Sequence, residues 1–365
     1  MTADAARLLS GPRGRRLCMS VAAELDDGLH ALIHPLAFEH EPADAAVTRI
    51  VFTGWGGDAE HAPEPPPPTV DGLVARLRML GSADLAPERL AAAISVGLLA
   101  AVDSARYWQA PDGEDHLAAL PAVAAALGGV AEQIMASTVA STWDAPRVAE
   151  QWAVDWRDAG DPAPLLAGRP GELLAEWGVH ARADEARAAR ERPRDVTALY
   201  GGEWWSFPSG MLQTTGILPS GEPAGLTLVE DGFGWTDGVA IPVRGAGRTF
   251  EIRGPEDWVE LCRRHPLDLT AARRHEWYRV TGRDGGWVIP DWERVAQEWD
   301  AVHLTALGYL TAATRELAVS EGYATVLGGW SPDVTVWLTD VAREWDAPRV
   351  AWHRERDGDE WMPVG

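Results

Sequence analysis

The chain has 365 residues, 46% of them hydrophobic and 24% charged, which suits a globular protein of roughly two domains. Its formal net charge is −23, and the sequence contains neither lysine nor asparagine. These absences exclude a Schiff-base lysine, a P-loop lysine, a Cys-His-Asn protease and an N-glycosylation acceptor. The acidic charge makes nucleic acid an unfavourable partner, because it repels phosphate backbones.

The sequence indicates a cytoplasmic protein without a membrane segment. Residues 1–16 carry four arginines and lack the apolar stretch of a signal peptide. The longest apolar run, residues 91–102, is shorter than the ~20 residues needed to cross a bilayer. Cys18 and Cys262 stand far apart and show no metal or redox spacing.

The first half of the chain is predicted to be helical. Within residues 89–102, branched apolar side chains recur every four residues and line one helix face. A proline-rich loop over residues 61–69 interrupts the pattern. In chain order, the predicted helices are Val70–Leu80, Arg89–Val102, Ala118–Met135, one beginning at Pro146, and Gly171–Glu191.

After about residue 195, glycine and short runs of β-branched residues become frequent. We therefore predict an α+β protein, with a mainly helical domain over residues 1–195 and a mixed, tryptophan-rich α+β domain over residues 196–365. The predicted strands are Leu226–Val229, Val239–Val243, Thr249–Ile252, Trp277–Val280, Thr325–Leu327 and Val334–Leu338, with helices over Glu256–Arg264 and Asp291–Trp299.

One heptapeptide, Trp-Asp-Ala-Pro-Arg-Val-Ala, occurs at residues 143–149 and again at residues 345–351. Each copy places a proline where it could begin a helix. Two origins stay open: a shared local capping device or an old duplication. A repeat architecture is not indicated, because no regular short period supports it.

The chain contains 19 tryptophans, 13 of them after residue 200. Most are expected in the core, but some could line a ligand or partner surface. Trp204 and Trp205 cannot both face inward if their segment is extended, because neighbouring side chains alternate sides. These two, with Trp330 beside a predicted strand, are the candidate ligand-binding residues.

Motifs for known chemistries are incomplete. His30 and His34 have a spacing that can bind zinc, but the His-Glu-x-x-His pattern is absent and Pro35 is expected to end the helix. No metal site is therefore predicted. His303-Leu304-Thr305 lacks the second His-x-Thr copy of two-histidine phosphoesterases. Neither Gly-x-Ser-x-Gly nor Gly-x-Gly-x-x-Gly occurs.

An enzyme remains the alternative hypothesis. Glu203, Arg253, His303 and Tyr309 are the residue types that ADP-ribosyltransferase-like chemistry on NAD would need. The arginine would hold the pyrophosphate, an aromatic ring would stack on nicotinamide, and the acid would stabilise an oxocarbenium-like state. NAD is the expected cofactor only under this alternative.

Four sets of segments carry a resemblance to other proteins: Phe250–Trp258, Pro290–Ala296, Val302–Thr305 with Gly308–Leu310, and Gly329–Trp330 with Thr335–Leu338. They resemble an uncharacterised two-domain family of high-GC bacteria. The resemblance covers most of residues 198–340 and, more weakly, residues 105–109. It implies two coupled structural parts and assigns no functional residue.

The sequence therefore favours a protein that binds a ligand or protein partner through its tryptophan-rich C-terminal domain. The reason for this hypothesis is that the chain has an excess of rigid aromatic side chains and no recognisable catalytic motif.

Overall fold

The protein is known from a computed structural model, which describes residues 1–42, 67–157, 169–230, 232, 234–356, 358 and 360–364. Residues 61–66 of the predicted proline-rich loop lie outside the described residues. The chain is an α+β protein, with helices dominating the first part and strands the second, as the sequence predicts.

The N-terminal part is a set of packed helices. The predicted helices at residues 70–80 and 89–102 are confirmed, whereas residues 118–135 form parts of three short helices, with Pro121 beginning one and Gly128 the next. The expectation that Pro35 ends its helix is wrong, since that helix continues to Glu39. The helices are α1 (Ala3–Ser10), α2 (Pro12–Leu25), α3 (Asp27–Glu39), α4 (Val70–Gly81), α5 (Pro87–Asp103), α6 (Gly113–Ala119), α7 (Pro121–Ala126) and α8 (Gly128–Ala136).

The remaining helices include the longest described one, α9, which confirms the prediction for residues 171–191. Residues 226–229 and 277–280 are not strands, contrary to prediction; the first lies around α10 and the second within α12. Short apolar runs do not distinguish a strand from a buried helix, which explains both errors. The bounds are α9 (Pro170–Glu191), α10 (Ala224–Thr227), α11 (Pro255–Arg264), α12 (Thr270–Thr281), α13 (Trp292–Glu298) and α14 (Ala306–Ala312).

Thirteen strands are assigned within the described residues. The prediction of a helix from Pro146 is wrong, because residues 150–155 pair as a strand with β3. The bounds are β1 (Glu150–Asp155), β2 (Gln213–Thr214), β3 (Asp237–Gly245), β4 (Thr249–Ile252), β5 (Pro266–Asp268), β6 (Gly286–Pro290), β7 (Ala301–Leu304), β8 (Leu317–Ser320), β9 (Tyr323–Thr325), β10 (Thr335–Trp337), β11 (Ala342–Glu344), β12 (Val350–His353) and β13 (Met362–Pro363).

The described strands form three mixed or antiparallel sheets. In the first, β3 pairs with β1 on one side and with β11 and β12 on the other, and β13 follows β12. The second has the order β2-β10-β7-β4, with β4 parallel to β7. The third has the order β5-β6-β9-β8, with β6 parallel to β9.

The repeated heptapeptide leads into a strand in both places. The first copy precedes β1 and the second runs into β12, and both strands lie antiparallel to β3. The two copies differ in their contact with β3: the first copy ends just before the pairing begins at Glu150, whereas Val350 and Ala351 of the second copy pair with Ala240 and Val239. The predicted helix-capping role of the proline is therefore wrong in both copies.

The helical and strand-rich parts share the largest apolar core of the described residues. Its buried side chains come from the N-terminal helices and from the second and third sheets. A buried polar contact crosses the same region, where Arg13 Nε of α2 donates to Thr314 Oγ1 at 3.0 Å. The predicted boundary at residue 195 stays a prediction.

Candidate binding cleft

Most of the 13 C-terminal tryptophans are core residues. Seven are buried, four are half-buried, and only Trp205 and Trp235 are exposed, at 41% and 38%. Trp330 is fully buried between Phe207, Trp258 and Trp292, and its indole N–H donates to the Val334 carbonyl oxygen at 3.1 Å. Trp330 therefore presents no ring surface to a ligand.

Trp204 and Trp205 lie in the irregular segment that follows α9, and their side chains differ in exposure. The Trp204 ring is half-buried and stacks on Tyr107, with ring centroids 5.2 Å apart and planes 12° from parallel. The Trp205 ring lies over Gly329, where an added Cβ would come within 2.0 Å of the indole. Gly329 also has a φ of +74°, so glycine suits this position for two reasons.

A cleft of about 910 Å³ lies beside this segment. One face of α9, from Leu173 to Arg190, forms one wall, and Gly201, Gly202 and Glu203 contribute to the other. Arg273 bonds to the carbonyl oxygens of both Glu203 and Trp205, so the Trp205 backbone adjoins the second wall, and its ring is exposed. The volume is typical of sites for small organic ligands.

Buried arginines hold the second wall in place. Arg273, 2% exposed, donates from Nη1 to the Glu203 carbonyl oxygen at 2.6 Å and from Nη2 to that of Trp205 at 3.3 Å. Arg192 Nη1 donates to the Ala272 carbonyl oxygen at 2.6 Å and so ties the end of α9 to α12. These charge-assisted bonds fix a segment that has no regular secondary structure.

The charges that line the cleft are unevenly compensated. Asp184 pairs with both Arg187 and Arg192, and Glu203 pairs with Arg273. Arg190 lines the same end and has no ion-pair partner among the described residues. Two arginines on one carboxylate, with a third beside them, leave this end of the cleft positive within an otherwise acidic protein.

The aromatic face, which we define as Trp108, Leu199, Tyr200 and Trp205, meets the cleft at Tyr200, whose ring centroid lies 5.0 Å from the guanidinium carbon of the cleft residue Arg192. Each of these side chains is exposed, from 37% for Tyr200 to 95% for Leu199. Arg279 links two of them, since it donates to the Tyr200 carbonyl oxygen at 2.6 Å and to that of Trp108 at 3.4 Å. Exposed apolar side chains that are grouped mark binding surfaces more often than single ones do.

Polar groups of α12 are buried beneath this face. Burial raises the pKa of Glu276, whose carboxylate oxygens accept no hydrogen bond from a side chain among the described residues, while Arg279 Nη1 lies 3.8 Å from its Oε1. Burial also lowers the pKa of His275, whose ring lies 5.5 Å from that of Tyr200.

The candidate catalytic residue His303 lies elsewhere, on β7. Its Nδ1 lies 2.6 Å from Glu251 Oε2 and its Nε2 lies 3.3 Å from Asp333 Oδ1. Burial favours the neutral ring, but the hydrogen bonds to the two carboxylates outweigh it and raise the pKa of His303. When the ring is protonated, both nitrogens can donate, and His303 then links β4 to the turn that holds Asp333.

Tyr309 lies in the interior on α14. It is fully buried near Glu230, whose Oε1 accepts a hydrogen bond from the Tyr107 hydroxyl at 2.9 Å. Burial raises the pKa of Glu230 to about 7, and the hydroxyls of Tyr309 and Tyr107 lower it in part. The helical and strand-rich parts meet at this carboxyl, since Tyr107 follows α5 and Tyr309 belongs to α14.

The structure does not gather the four candidate catalytic residues around common partners. Glu203 contacts Arg273, while the backbone of Arg253 accepts from Arg7 and donates to Asp257. His303 and Tyr309 have the separate carboxylate partners described above. No single set of neighbours therefore contains the parts that an NAD-using transferase would need together.

His30 and His34 share one face of α3 and line a smaller pocket of about 220 Å³ with Glu24 and Glu114. Within the ranges that the structure describes, no group of three or more histidine, cysteine or acidic side chains could hold a metal ion. Across those same ranges, no helix combines the length and apolar character needed to span a bilayer.

Comparisons with known proteins give no family and no function, so any functional assignment depends on the candidate site. No protein-family model matches the chain, and neither a curated protein nor a solved structure matches it. The resemblance noted from the sequence stays a prediction.

Sequence reasoning missed the basic wall of the cleft. His180, Asp184, Arg187 and Arg190 recur at helical spacing and so share a face of α9. That spacing was visible in the sequence. The partner wall was not, because a segment without regular structure is positioned by contacts with distant residues such as Arg273.

Proposed function

We propose that this protein binds a ligand that carries an acidic group together with an apolar or aromatic part. The cleft would receive the acidic group at its arginine end, beside the aromatic face, and the apolar part would lie along the apolar side chains of α9. The observation that carries the proposal is an arginine-lined cleft of about 910 Å³ whose second wall reaches Glu203, two residues before the exposed Trp205, while seven other C-terminal indoles are buried.

The chemistry of the residues supports this pairing of groups. Guanidinium groups bind carboxylates and phosphates by charge-assisted hydrogen bonds, often two at once. Exposed tyrosine and tryptophan rings provide rigid apolar area at a small cost in conformational entropy. The net charge of −23 favours small acids over nucleic acid, because a polyanion would face repulsion outside the cleft.

The proposal places the protein in a reducing compartment, the cytoplasm. Cys18 and Cys262 are both buried and free, and burial raises the pKa of each thiol. Thiols of this kind behave as small apolar core residues and are unreactive. Such usage is ordinary for cytoplasmic proteins.

Fluorine NMR on fluorotryptophan-labelled protein tests the proposal. The Trp205 signal is assigned by its loss in Trp205→Phe, and the Trp235 signal in the same way by Trp235→Phe. The probes are indole-3-acetate, phenyl phosphate, decanoate and NAD. We expect an acidic probe to shift the Trp205 signal and to leave that of Trp235, which is equally exposed, unchanged. Equal shifts of both signals, or none, would refute the proposal.

The same titration separates the enzyme alternative. A response to NAD alone that disappears in Arg253→Ala and in Tyr309→Phe would favour NAD chemistry. A response to simple acids that both variants retain supports the binding proposal, because neither residue lines the cleft.

A further inference from the structure

The cleft is elongated, and its two ends differ in chemistry. Its lining residues on α9 run from Leu173 to Arg190, which corresponds to about 26 Å at the helical rise of ~1.5 Å per residue. Leu173, Trp177 and Ala181 give one end an apolar floor. The arginine end begins two turns further along the helix.

The neighbouring carboxylates do not fully neutralise the positive charge of the arginine end. Arg187 and Arg192 share the single carboxylate of Asp184, and Arg190 is exposed without an ion-pair partner among the described residues. Glu176 also lines the cleft but belongs to the apolar end, about 21 Å from Arg190 along the helix axis. An acid is therefore attracted to one end only.

We infer that the cleft binds a linear aliphatic carboxylate, with its head on Arg187 and Arg190 and its chain along Trp177 towards Leu173. This inference rests on the proposed function and narrows it to one ligand class. An acyl chain matches apolar side chains that follow one another along a helix face, from Leu173 to Ala181, and a single terminal charge matches a cleft that is basic at only one end.

Isothermal titration calorimetry with hexanoate, octanoate, decanoate and dodecanoate, each below its micelle concentration, tests the inference on the full chain. Because each buried methylene contributes ~0.8 kcal/mol, affinity should rise by about fourfold per methylene until the chain fills the floor. The Leu173→Ser variant should flatten this dependence. Decanol and decyltrimethylammonium should bind at least about tenfold more weakly than decanoate, because they lack the carboxylate.

Arginine variants test whether Arg187 and Arg190 bind the carboxylate of the ligand. The double variant Arg187→Gln/Arg190→Gln should lose about tenfold or more in affinity for decanoate and little for decanol. Arg78→Gln on α4 is the matched control, since Arg78 is also an exposed helical arginine and lies outside the cleft. Two results would overturn the inference: an affinity that does not depend on chain length across the series, or an affinity for decanoate that the double variant does not lower.

The two proposals can fail separately. If indole-3-acetate or phenyl phosphate shifts the Trp205 signal while the whole aliphatic series fails to bind, the ligand class is wrong and the cleft remains a binding site. If none of these probes acts at Trp205 and the series does not bind, both proposals are wrong.

Discussion

The buried carboxyl of Glu230 should make the stability of the protein depend on pH near neutrality. Burial raises the pKa of this group from 4.5 to about 7 in the folded protein. Between these values the folded protein holds a proton that the unfolded chain releases, so the free energy of unfolding falls as the pH rises. At ~1.36 kcal/mol per pH unit, the difference of about 2.5 pH units amounts to about 3 kcal/mol.

The Glu230→Gln variant isolates this effect. Glutamine resembles the protonated carboxyl and does not ionise, so the variant should match the wild type in stability below about pH 4. Above pH 8 it should be more stable by about 3 kcal/mol. Urea unfolding of both proteins from about pH 4 to pH 9 measures the difference, in which contributions from other titrating groups cancel. A difference that does not change with pH would refute the reasoning.

Three further predictions concern stability and charge. The NMR titration of His303 should show its raised pKa, and the Glu251→Gln variant should lower that pKa. The stability that protonated His303 contributes is complete at low pH and is lost as the pH rises through its folded-state pKa. Gly129→Ala should lower the free energy of unfolding by about 1–3 kcal/mol, because the added Cβ would lie 2.7 Å from the Gly81 backbone. Gly171→Ala, which has open space around it, should not lower it. Urea unfolding of the two variants measures the difference. Trp330→Ala should cost about 3–5 kcal/mol in unfolding free energy and leave acid binding intact in the protein that stays folded.

Local patterns predicted part of the fold well. The prediction for residues 249–252 coincides with β4, and residues 89–102 lie within α5, because side-chain spacing alone determines which face is apolar. The prediction failed at Trp277, whose β-favouring type suggested a strand although α12 buries it as a helical residue. There the packing of the finished protein, rather than local preference, decides the structure.

The candidate site was predictable only in part. Alternation along an extended chain predicted that Trp204 and Trp205 could not both be buried, and they do differ in exposure. The burial of Trp330 could not be predicted from alternation, because it depends on contacts with the rings of Phe207 and Trp258, which are distant in the sequence. The cleft depends on Arg273 of α12, which bonds to the irregular segment, and on Arg192, which ties the end of α9 to α12. No local pattern in the sequence encodes such contacts.

The exposed indole of Trp205 and the arginine end of α9 are proposed to belong to one site. This is tested by the affinity of an acidic probe obtained from the Trp205 fluorine signal, compared between wild type, Arg190→Gln and Arg78→Gln. Binding should weaken by about tenfold in Arg190→Gln and should not change in Arg78→Gln. Equal affinities in all three proteins would show that the indole and the arginines do not share a site.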